Sequence, residues 1–220
     1  VDAEKALADA KASEERWIKG EPAGLVDGVP STIKDLVDTI GWSTRRGSLT
    51  TSDNGTWEND APLVARLREN GAVLLGKTTT PEFGWKGVTD SPLTGITRNP
   101  WNPEKTPGGS SGGAAAAAAA CLGALHHGSD GGGSIRMPSG YTGIYGLKPT
   151  FGRVPTWPAS GFGTLSHQGP MTRTVSDAAL MLTVMAQTDS RDWYALPASE
   201  TNWSSYVTKS DKGWKLSLIH

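Results

Sequence analysis

The chain is poor in the features that mark secreted and membrane proteins. Its 220 residues include a single cysteine, Cys121, so no disulfide can form within the chain, which is compatible with a reducing compartment. Cys121 ends an alanine run and is predicted to be a small buried residue. No apolar run reaches the roughly 18 residues that a membrane-spanning helix needs. We therefore expect a cytoplasmic protein without a transmembrane segment.

Excess charge of either sign is lacking as well. The 21 basic residues are nearly balanced by 22 acidic residues, which gives a net charge of −1. Because no basic block stands out, neither nucleic acid nor an anionic membrane is indicated as a partner. Histidine is scarce, and the pair His126-His127 has no partners at metal-ligand spacing. We expect this pair to be structural, and we expect neither a metal site nor a cofactor.

An initiating methionine is also missing. At the other end, residues 214–220 read as the opening of a strand. A length of 220 residues is sufficient for one domain with a real core. We interpret residues 1–220 as a single domain that is cut at both ends, either a fragment or one piece of a cleaved chain.

Helix and strand patterns alternate along the chain, which is typical of an α/β fold. Amphipathic or alanine-rich patterns predict helices over residues 2–19, 60–70, 112–125 and 176–188. Asp60 and Ser176 are the expected N-terminal caps of the second and fourth helices. Apolar runs predict strands over residues 25–33, 72–75 and 125–129, with 143–147 continuing the core. Loops are predicted over residues 43–57, 78–106 and 151–168. A long irregular segment such as 78–106 is usually functional in a compact domain.

Glycine and serine are concentrated in two turns that flank the alanine run. The first turn is GGSSGG at residues 108–113, and the second is GGGS at residues 131–134, between Asp130 and Arg136. Glycine lets the backbone approach a ligand closely, and successive N–H groups can then hold a developing oxyanion. This arrangement indicates acyl transfer through a serine. A flexible linker is the alternative, but linkers are not interrupted by an alanine helix and an Asp–Arg pair.

Three other motifs match in letters and are disfavoured on physical grounds. Residues 71–78 match a Walker A motif, but the positions between its glycines are apolar and predict a strand, whereas a phosphate loop is flexible. Residues 31–34 and 52–54 match two motifs of penicillin-binding enzymes, but the third motif, K-T-G, is missing. Residues 109–113 match a nucleophile elbow, which needs a preceding strand that residues 102–107 cannot supply.

A serine nucleophile needs a base, and no histidine lies in a motif that would supply one. Lys34 is the best candidate, since Ile33, Leu36 and Val37 give it an apolar setting. A lysine acts as a base only when its amine is neutral, and burial favours the neutral amine. An ordinary surface lysine is the alternative interpretation.

Four separated stretches resemble the amidase signature family, and they occur in the family's order. They are GVPSTIKD at residues 28–35, GGSSGG at 108–113, GSD-x-GGSIR-x-P at 128–138 and GLKPTFGRVP at 146–155. The resemblance covers about residues 25–186. It implies an α/β fold with a mixed central β-sheet covered by helices on both faces. Members of the family are roughly twice this length, so this chain is expected to form part of that fold.

The resemblance also implies a catalytic triad. It assigns Lys34 as the base, Ser110 as a relay serine that follows a cis peptide bond, and Ser134 as the nucleophile. Ser111 remains an alternative relay serine. The amides of the second turn are implied to form the oxyanion hole, that is, Gly131, Gly132, Gly133 and Ser134.

Supporting and substrate-binding roles are assigned from the residues themselves, and the resemblance places the segment that holds Trp85 on the acyl side of the pocket. Asp130 and Arg136 are expected to hold the second serine turn, with Ser111 as further structural support. Two long loops are expected to contact the substrate through Gly84, Trp85, Trp157 and Phe162. Because several of these residues are aromatic, we expect a bulky or aromatic acyl or amine group.

The implied activity is hydrolysis of carboxylic amides through a serine acyl-enzyme, with esters and carbamates as further substrates and no cofactor. The alternative is the A subunit of a glutamine-dependent amidotransferase, which would act with partner subunits. An inactive relative is a second alternative, which intact Lys34, Ser110 and Ser134 argue against. A homodimer, a second chain or a missing C-terminal half all remain open.

Overall fold

A five-stranded mixed β-sheet organises the computed structural model, which describes residues 1–55, 57–210 and 212–213. Its strands are β1 (Pro30–Lys34), β2 (Val73–Thr78), β5 (Leu125–Asp130), β6 (Tyr145–Gly146) and β7 (His167–Thr172), in the order β2-β1-β5-β7-β6. Strand β1 is parallel to β2 and β5, whereas β7 is antiparallel to β5 and β6. Two short strands, β3 (Asp90–Ser91) and β4 (Gly95–Ile96), form a separate hairpin.

Helices cover both faces of the sheet, as the family resemblance implies. They are α1 (Ala3–Lys19), α2 (Pro62–Glu69), α3 (Gly112–Ala119), α4 (Arg136–Thr142) and α5 (Val175–Met185). Short 3-10 helices occur at Glu82–Gly84, Gly163–Leu165 and Trp203–Tyr206. No helix in the described part of the chain is both long and apolar enough to cross a membrane.

Two apolar clusters form the core. One joins α2 and α5 to the sheet and includes Ile33 and Leu125, both almost fully buried. The other lies under α3 and includes Ala114, Ala115 and Met171. Because α3 consists of glycine and alanine, it packs closely on its neighbours. A Cβ atom at Gly113 would lie 2.4 Å from the backbone nitrogen of Thr79.

Helix boundaries differ from the predictions for local reasons. Asp60 does not cap α2, because its carboxylate accepts from the Ile40 amide and from Arg68 instead. Helix α5 is capped by Thr174, whose side chain accepts from the Asp177 amide, so the prediction of Ser176 as the cap was wrong. Helix α3 ends at Ala119, well short of the predicted residue 125.

The chain after α3 turns back through left-handed backbone conformations. Cys121 has φ = 58° and Gly123 has φ = 115°, which stops the helix before β5. Cys121 is exposed, so the prediction that it is buried was wrong.

Strand boundaries show similar differences. Strand β1 begins at Pro30, not at the predicted residue 25, because Gly28 makes a turn with φ = 83° and donates its amide to Gly71. Strand β7 and helix α4 were not predicted, since the pair Gly169-Pro170 and Pro138 are poor formers of these elements. The predicted strand at 214–220 lies outside the described residues.

Two of the disfavoured motifs are inconsistent with the fold. Residues 73–78 of the Walker A-like stretch form β2, so they cannot form a phosphate-binding loop. No strand directly precedes the first serine turn in the described residues 102–113. This segment therefore lacks the strand–turn–helix geometry of a nucleophile elbow. The site must therefore be built from the two serine turns and from the strands beside them.

We expect Gly113→Ala to destabilise the protein, because the added methyl group would meet backbone atoms of Thr79 and push α3 away from the sheet. Overpacking of this kind costs about 1–3 kcal/mol in the free energy of unfolding. Urea unfolding followed by tryptophan fluorescence measures the change. Gly140→Ala in α4 is the matched control, because no atom lies within 4 Å of its added methyl group. A neutral Gly113→Ala would contradict the close packing.

Candidate active site

A cavity of about 360 Å³ opens where β1 and β5 end. Its walls include residues 36–38, which follow β1, and Gly131, Gly132 and Ser134, which follow β5. Residues 83–85 and 155–162 close the other sides. The ends of these two neighbouring parallel strands therefore place the second serine turn beside a cavity, which is the usual place for a ligand in such sheets. Ser110 of the first serine turn lines the same cavity.

Lys34 is the last residue of β1, and its side chain is fully buried. Its Nζ atom lies 2.8 Å from Ser110 Oγ, 2.8 Å from Ser111 Oγ and 2.9 Å from Ser129 Oγ. The first two contacts join residues that the sequence motifs had already indicated. Ser129 was missed, although it stands only one residue before the recognised Asp130.

The amine of Lys34 is tuned by its surroundings. Burial lowers the pKa of Lys34 from 10.5 to about 7, and the negative charge of Asp130 partly opposes this shift. An amine with this pKa is neutral in a large fraction of molecules near pH 7. The lysine is thus in the environment that a general base requires, and the surface-lysine interpretation does not hold.

The two adjacent serines of the first turn have different surroundings. The Gly109–Ser110 peptide bond is cis, and Ser110 lines the cavity together with Ser134. The Ser111 hydroxyl instead donates to the Ser129 carbonyl at 3.1 Å and accepts from the Ser129 amide at 3.2 Å. The Ser111 amide donates to the Ser134 carbonyl at 3.3 Å, which ties the two serine turns together.

Asp130 holds the second serine turn in place. Its carboxylate accepts from the amides of Gly133 at 2.7 Å, Ile135 at 3.1 Å and Arg136 at 3.3 Å. The guanidinium of Arg136 adds two contacts, at 2.9 and 3.0 Å. Burial alone would raise the pKa of Asp130, but the bonds from Arg136 and the amides lower it to about 2. Asp130 and Arg136 therefore occupy the positions expected of structural support.

The predicted set of oxyanion donors needs one correction. The Gly133 amide is buried and already donates to Asp130, so it is not available to a ligand. Within the described residues, the amides of Gly131, Gly132 and Ser134 donate no hydrogen bond, and these residues line the cavity. Three free amides thus remain beside the cavity.

The four predicted substrate contacts all line the cavity: Gly84, Trp85, Trp157 and Phe162. Trp85 stacks on Phe162 with ring centroids 5.3 Å apart, and Trp85 is 77% exposed, so this pair forms part of the rim. A Cβ atom at Gly84 would lie 2.6 Å from Leu36 and 3.3 Å from Ser110 Oγ. Glycine at this position therefore lets the cavity wall approach Ser110 closely.

The ring of Trp157 is held in place by a cation–π contact. The guanidinium of Arg191 lies over its ring, 4.6 Å from the centroid, and Arg191 is itself held by Asp189 at 2.7 Å. The neighbouring Thr156 amide donates to Asp192 at 2.8 Å. This wall of the cavity is consequently anchored by the segment that follows α5.

The histidine pair lies beneath the site. His126 Nδ1 is 2.9 Å from Thr32 Oγ1, and His127 Nε2 is 2.8 Å from Gln168 Oε1. Burial lowers the pKa of His126 to about 4 and that of His127 to about 3, so both are neutral at pH 7. The described residues contain no cluster of side chains suited to a metal ion. Gln168 also lines the cavity and was not predicted.

The family model for Amidase matches residues 1–220, and the chain belongs to the amidase family. It is 43% identical over 206 residues to indoleacetamide hydrolase of Bradyrhizobium diazoefficiens, covering 90% of this chain and 39% of that protein. It is 45% identical over 210 residues to an acylamidase of Rhodococcus erythropolis, covering 95% of this chain and 43% of that protein. It is 42% identical over 219 residues to the A subunit of glutamyl-tRNA(Gln) amidotransferase from Pediococcus pentosaceus, covering 99% and 44%.

Solved structures agree with this assignment. A bacterial aryl acylamidase of the amidase signature family matches with a TM-score of 0.85 and 35% identity, covering 93% of this chain and 43% of that chain. A peptide amidase in complex with chymostatin matches with a TM-score of 0.84 and 35% identity, covering 91% and 43%. The chain spans less than half the length of the relatives it matches. The resemblance to the amidase signature family is confirmed.

Replacing Asp130 with Asn should weaken the second serine turn, because the turn amides and Arg136 lose a charged acceptor. We expect a loss of about 1–3 kcal/mol in the free energy of unfolding at pH 7. Since the folded-state pKa of Asp130 is lowered to about 2, its contribution is present above pH 4 and is lost as pH falls towards 2. The difference between wild type and variant should therefore shrink over that range.

Urea unfolding at a series of pH values measures this difference. Asp9→Asn is the matched control, because Asp9 forms an exposed ion pair with Lys5 in α1. Exposed pairs contribute about 0–1 kcal/mol, so this variant should stay near wild type. An effect of Asp130→Asn no larger than that of Asp9→Asn would contradict the supporting role.

Proposed function

We propose that the protein carrying this chain hydrolyses carboxylic amides through an acyl-enzyme on Ser134. The observation that carries the proposal is the buried amine of Lys34, which lies 2.8 Å from the hydroxyl of Ser110 at a cavity that Ser134 also lines. A neutral lysine, a relay hydroxyl and a nucleophilic hydroxyl are the groups that a proton relay of this kind needs. Membership of the amidase family supports amide substrates.

In the proposed acylation, Ser134 Oγ attacks the amide carbonyl carbon. Its proton passes to Ser110 Oγ while the Ser110 proton passes to Lys34 Nζ. The carbonyl oxygen becomes an oxyanion that accepts from the free amides of Gly131, Gly132 and Ser134, and one such donor is worth about 100- to 1000-fold in rate. The proton then returns through Ser110 to the leaving nitrogen as the C–N bond breaks. Water repeats the sequence on the acyl ester and releases the acid.

Ser110 is preferred over Ser111 as the relay because of what each hydroxyl contacts. Both lie 2.8 Å from Lys34 Nζ, so distance alone does not separate them. The hydrogen of Ser111 is directed to the Ser129 carbonyl, and Ser111 does not line the cavity. Ser110 has no such second acceptor among the described residues and faces the cavity, so its proton is free to move.

The cavity walls support a bulky or aromatic group on the substrate. Phe83, Trp85, Trp157 and Phe162 supply aromatic surface, and Leu36 adds an aliphatic side. Two of the matched proteins are named for aromatic substrates, an indoleacetamide hydrolase and an aryl acylamidase. We propose an aryl or arylalkyl amide, with esters and carbamates as further substrates of the same serine chemistry.

A second candidate function is supported by the 42% identity to the A subunit of glutamyl-tRNA(Gln) amidotransferase. In that case the protein would act with partner subunits and would transfer ammonia from glutamine. The two functions differ in what the isolated protein does. Turnover of an aryl amide by the intact protein alone favours the hydrolase, and turnover of glutamine only with copurifying subunits favours the amidotransferase.

Labelling with a fluorophosphonate tests the proposed triad, using the intact protein that carries this chain. We expect one adduct, mapped to Ser134 by peptide mass spectrometry, and none in Ser134→Ala. Lys34→Ala and Ser110→Ala should lower the labelling rate by at least about 100-fold, since they remove the base or the relay. Ser111→Ala should lower it by less than about tenfold. An active Ser110→Ala with an inactive Ser111→Ala would contradict the relay assignment.

The labelling rate should also depend on pH in a defined direction. The base acts only when its amine is unprotonated, and burial sets the pKa of Lys34 to about 7. The rate of Ser134 labelling should therefore rise by about tenfold per pH unit below pH 7 and reach a plateau above pH 8. Rates measured from pH 5 to pH 9 at constant ionic strength give the profile. A flat profile would contradict Lys34 as the base.

A further inference from the structure

Three serine hydroxyls surround the amine of Lys34, whereas the proposed relay uses only one of them. Ser110, Ser111 and Ser129 all lie within 2.9 Å of Nζ, which makes no other hydrogen bond among the described residues. A neutral amine has two hydrogens and one lone pair. When the amine is neutral, two of the three contacts are therefore N–H donations, and in the third a hydroxyl donates to the nitrogen.

The role of Ser111 in this set is fixed by its second partner. Its hydroxyl hydrogen is directed to the Ser129 carbonyl at 3.1 Å. Because that hydrogen is used, Ser111 can only accept from Lys34. Ser110 and Ser129 are left to divide the second N–H and the lone pair between them.

Only one of the two remaining arrangements permits the relay. If Ser129 donated to the nitrogen, the lone pair would point at Ser129, and Ser110 would accept an N–H and could not pass on its proton. If Ser129 accepts, the lone pair points at Ser110. Ser129 is partly exposed and lines the cavity, so its own hydrogen has an outlet towards solvent or ligand.

We propose that Ser129 is a positioning residue, which accepts a hydrogen bond from Lys34 and thereby directs the lone pair of the amine at Ser110. This inference rests on the proposed role of Lys34 as the base. The backbone fixes Ser129 for this task, because β5 is paired on one side with β1, which carries Lys34, and on the other with Gln168 of β7.

No other group near Lys34 can replace the hydroxyl. Asp130 acts through its charge and is engaged by Arg136 and the turn amides, whereas His127 contacts the Lys34 backbone nitrogen at 3.4 Å. The other charged groups nearby are Asp35, which follows Lys34 in the chain, and Lys77 of the neighbouring strand. None of these side chains makes a hydrogen bond to Nζ within the described residues.

Protonation of Lys34 gives the proposal a measurable signature. The ammonium has three hydrogens and can donate to all three hydroxyls, while the amine donates to two. Removing the Ser129 hydroxyl therefore destabilises the ammonium more than the amine and lowers the apparent pKa of the base. It also lets the lone pair turn away from Ser110, which lowers the rate when the amine is neutral.

The test measures the rate of fluorophosphonate labelling of Ser134 against pH in the intact protein. Ser129→Ala should lower the plateau by at least about tenfold and move the acidic midpoint down by about 0.5–1 pH unit. Ser129→Thr keeps the hydroxyl and should restore both. Ser139→Ala is the control, because this buried serine lies outside the cavity lining and has no hydrogen-bond partner for its hydroxyl among the described residues.

Each outcome bears on a different claim. If Ser129→Ala keeps the wild-type plateau rate and the wild-type midpoint of the pH profile, the inference is overturned. A lowered plateau rate with an unchanged midpoint would also overturn it, because that result indicates a merely structural role for Ser129. Thermal melting shows whether Ser129→Ala is folded. If it is not, Ser129→Thr decides the question by itself. A folded Ser129→Thr protein that labels at no more than about one-tenth of the wild-type plateau rate would overturn the inference. A wild-type profile without a midpoint contradicts the proposed base itself, independently of Ser129.

Discussion

Burial of one amine is the constraint on which the site depends. Lys34 sits at the end of a central strand with no exposed surface, and its Nζ is satisfied by hydroxyls alone. A permanently charged lysine there would lack a counter-ion in direct contact and would carry a large desolvation cost. The protein accommodates it because a neutral amine needs only hydroxyl partners. The same surroundings that make burial tolerable lower the pKa of Lys34, which its proposed role as a base requires.

The scaffold brings these hydroxyls together through packing of small residues. Helix α3 contains no side chain larger than a methyl group, so the turn before it can approach the sheet until Ser111 bonds to Ser129. Strand β5 lies beside β1, which sets Ser129 against Lys34. A bulkier helix would hold the turn away from the amine. The alanine run is thus part of the geometry of the site as well as part of the core.

Much of this arrangement could be predicted, and the remainder depends on contacts between distant residues. Local patterns and the family motifs were enough to indicate α3, the two serine turns and Lys34. Ser129 was missed because its contact with Lys34 spans 95 positions and exists only once β1 and β5 pair. Gly133 was assigned to the oxyanion hole because a sequence does not tell which amides a nearby carboxylate will take. Strand β7 was not predicted because Gly169 and Pro170 have low strand propensity. Their extended backbone is imposed by pairing with the neighbouring strands.

Asp130 couples the geometry of the second serine turn to the pKa of Lys34. By accepting hydrogen bonds from the amides of Gly133 and Ile135, Asp130 holds the turn in place, and the residues Gly131, Gly132 and Ser134 of that turn line the cavity. An unpaired carboxylate beside the second serine turn would repel the oxyanion of the proposed reaction. The guanidinium of Arg136, which is paired with Asp130, offsets that negative charge. What remains of its field raises the pKa of Lys34 against the stronger effect of burial. Because one carboxylate serves both purposes, the geometry of the turn amides and the pKa of Lys34 cannot be altered independently at this residue.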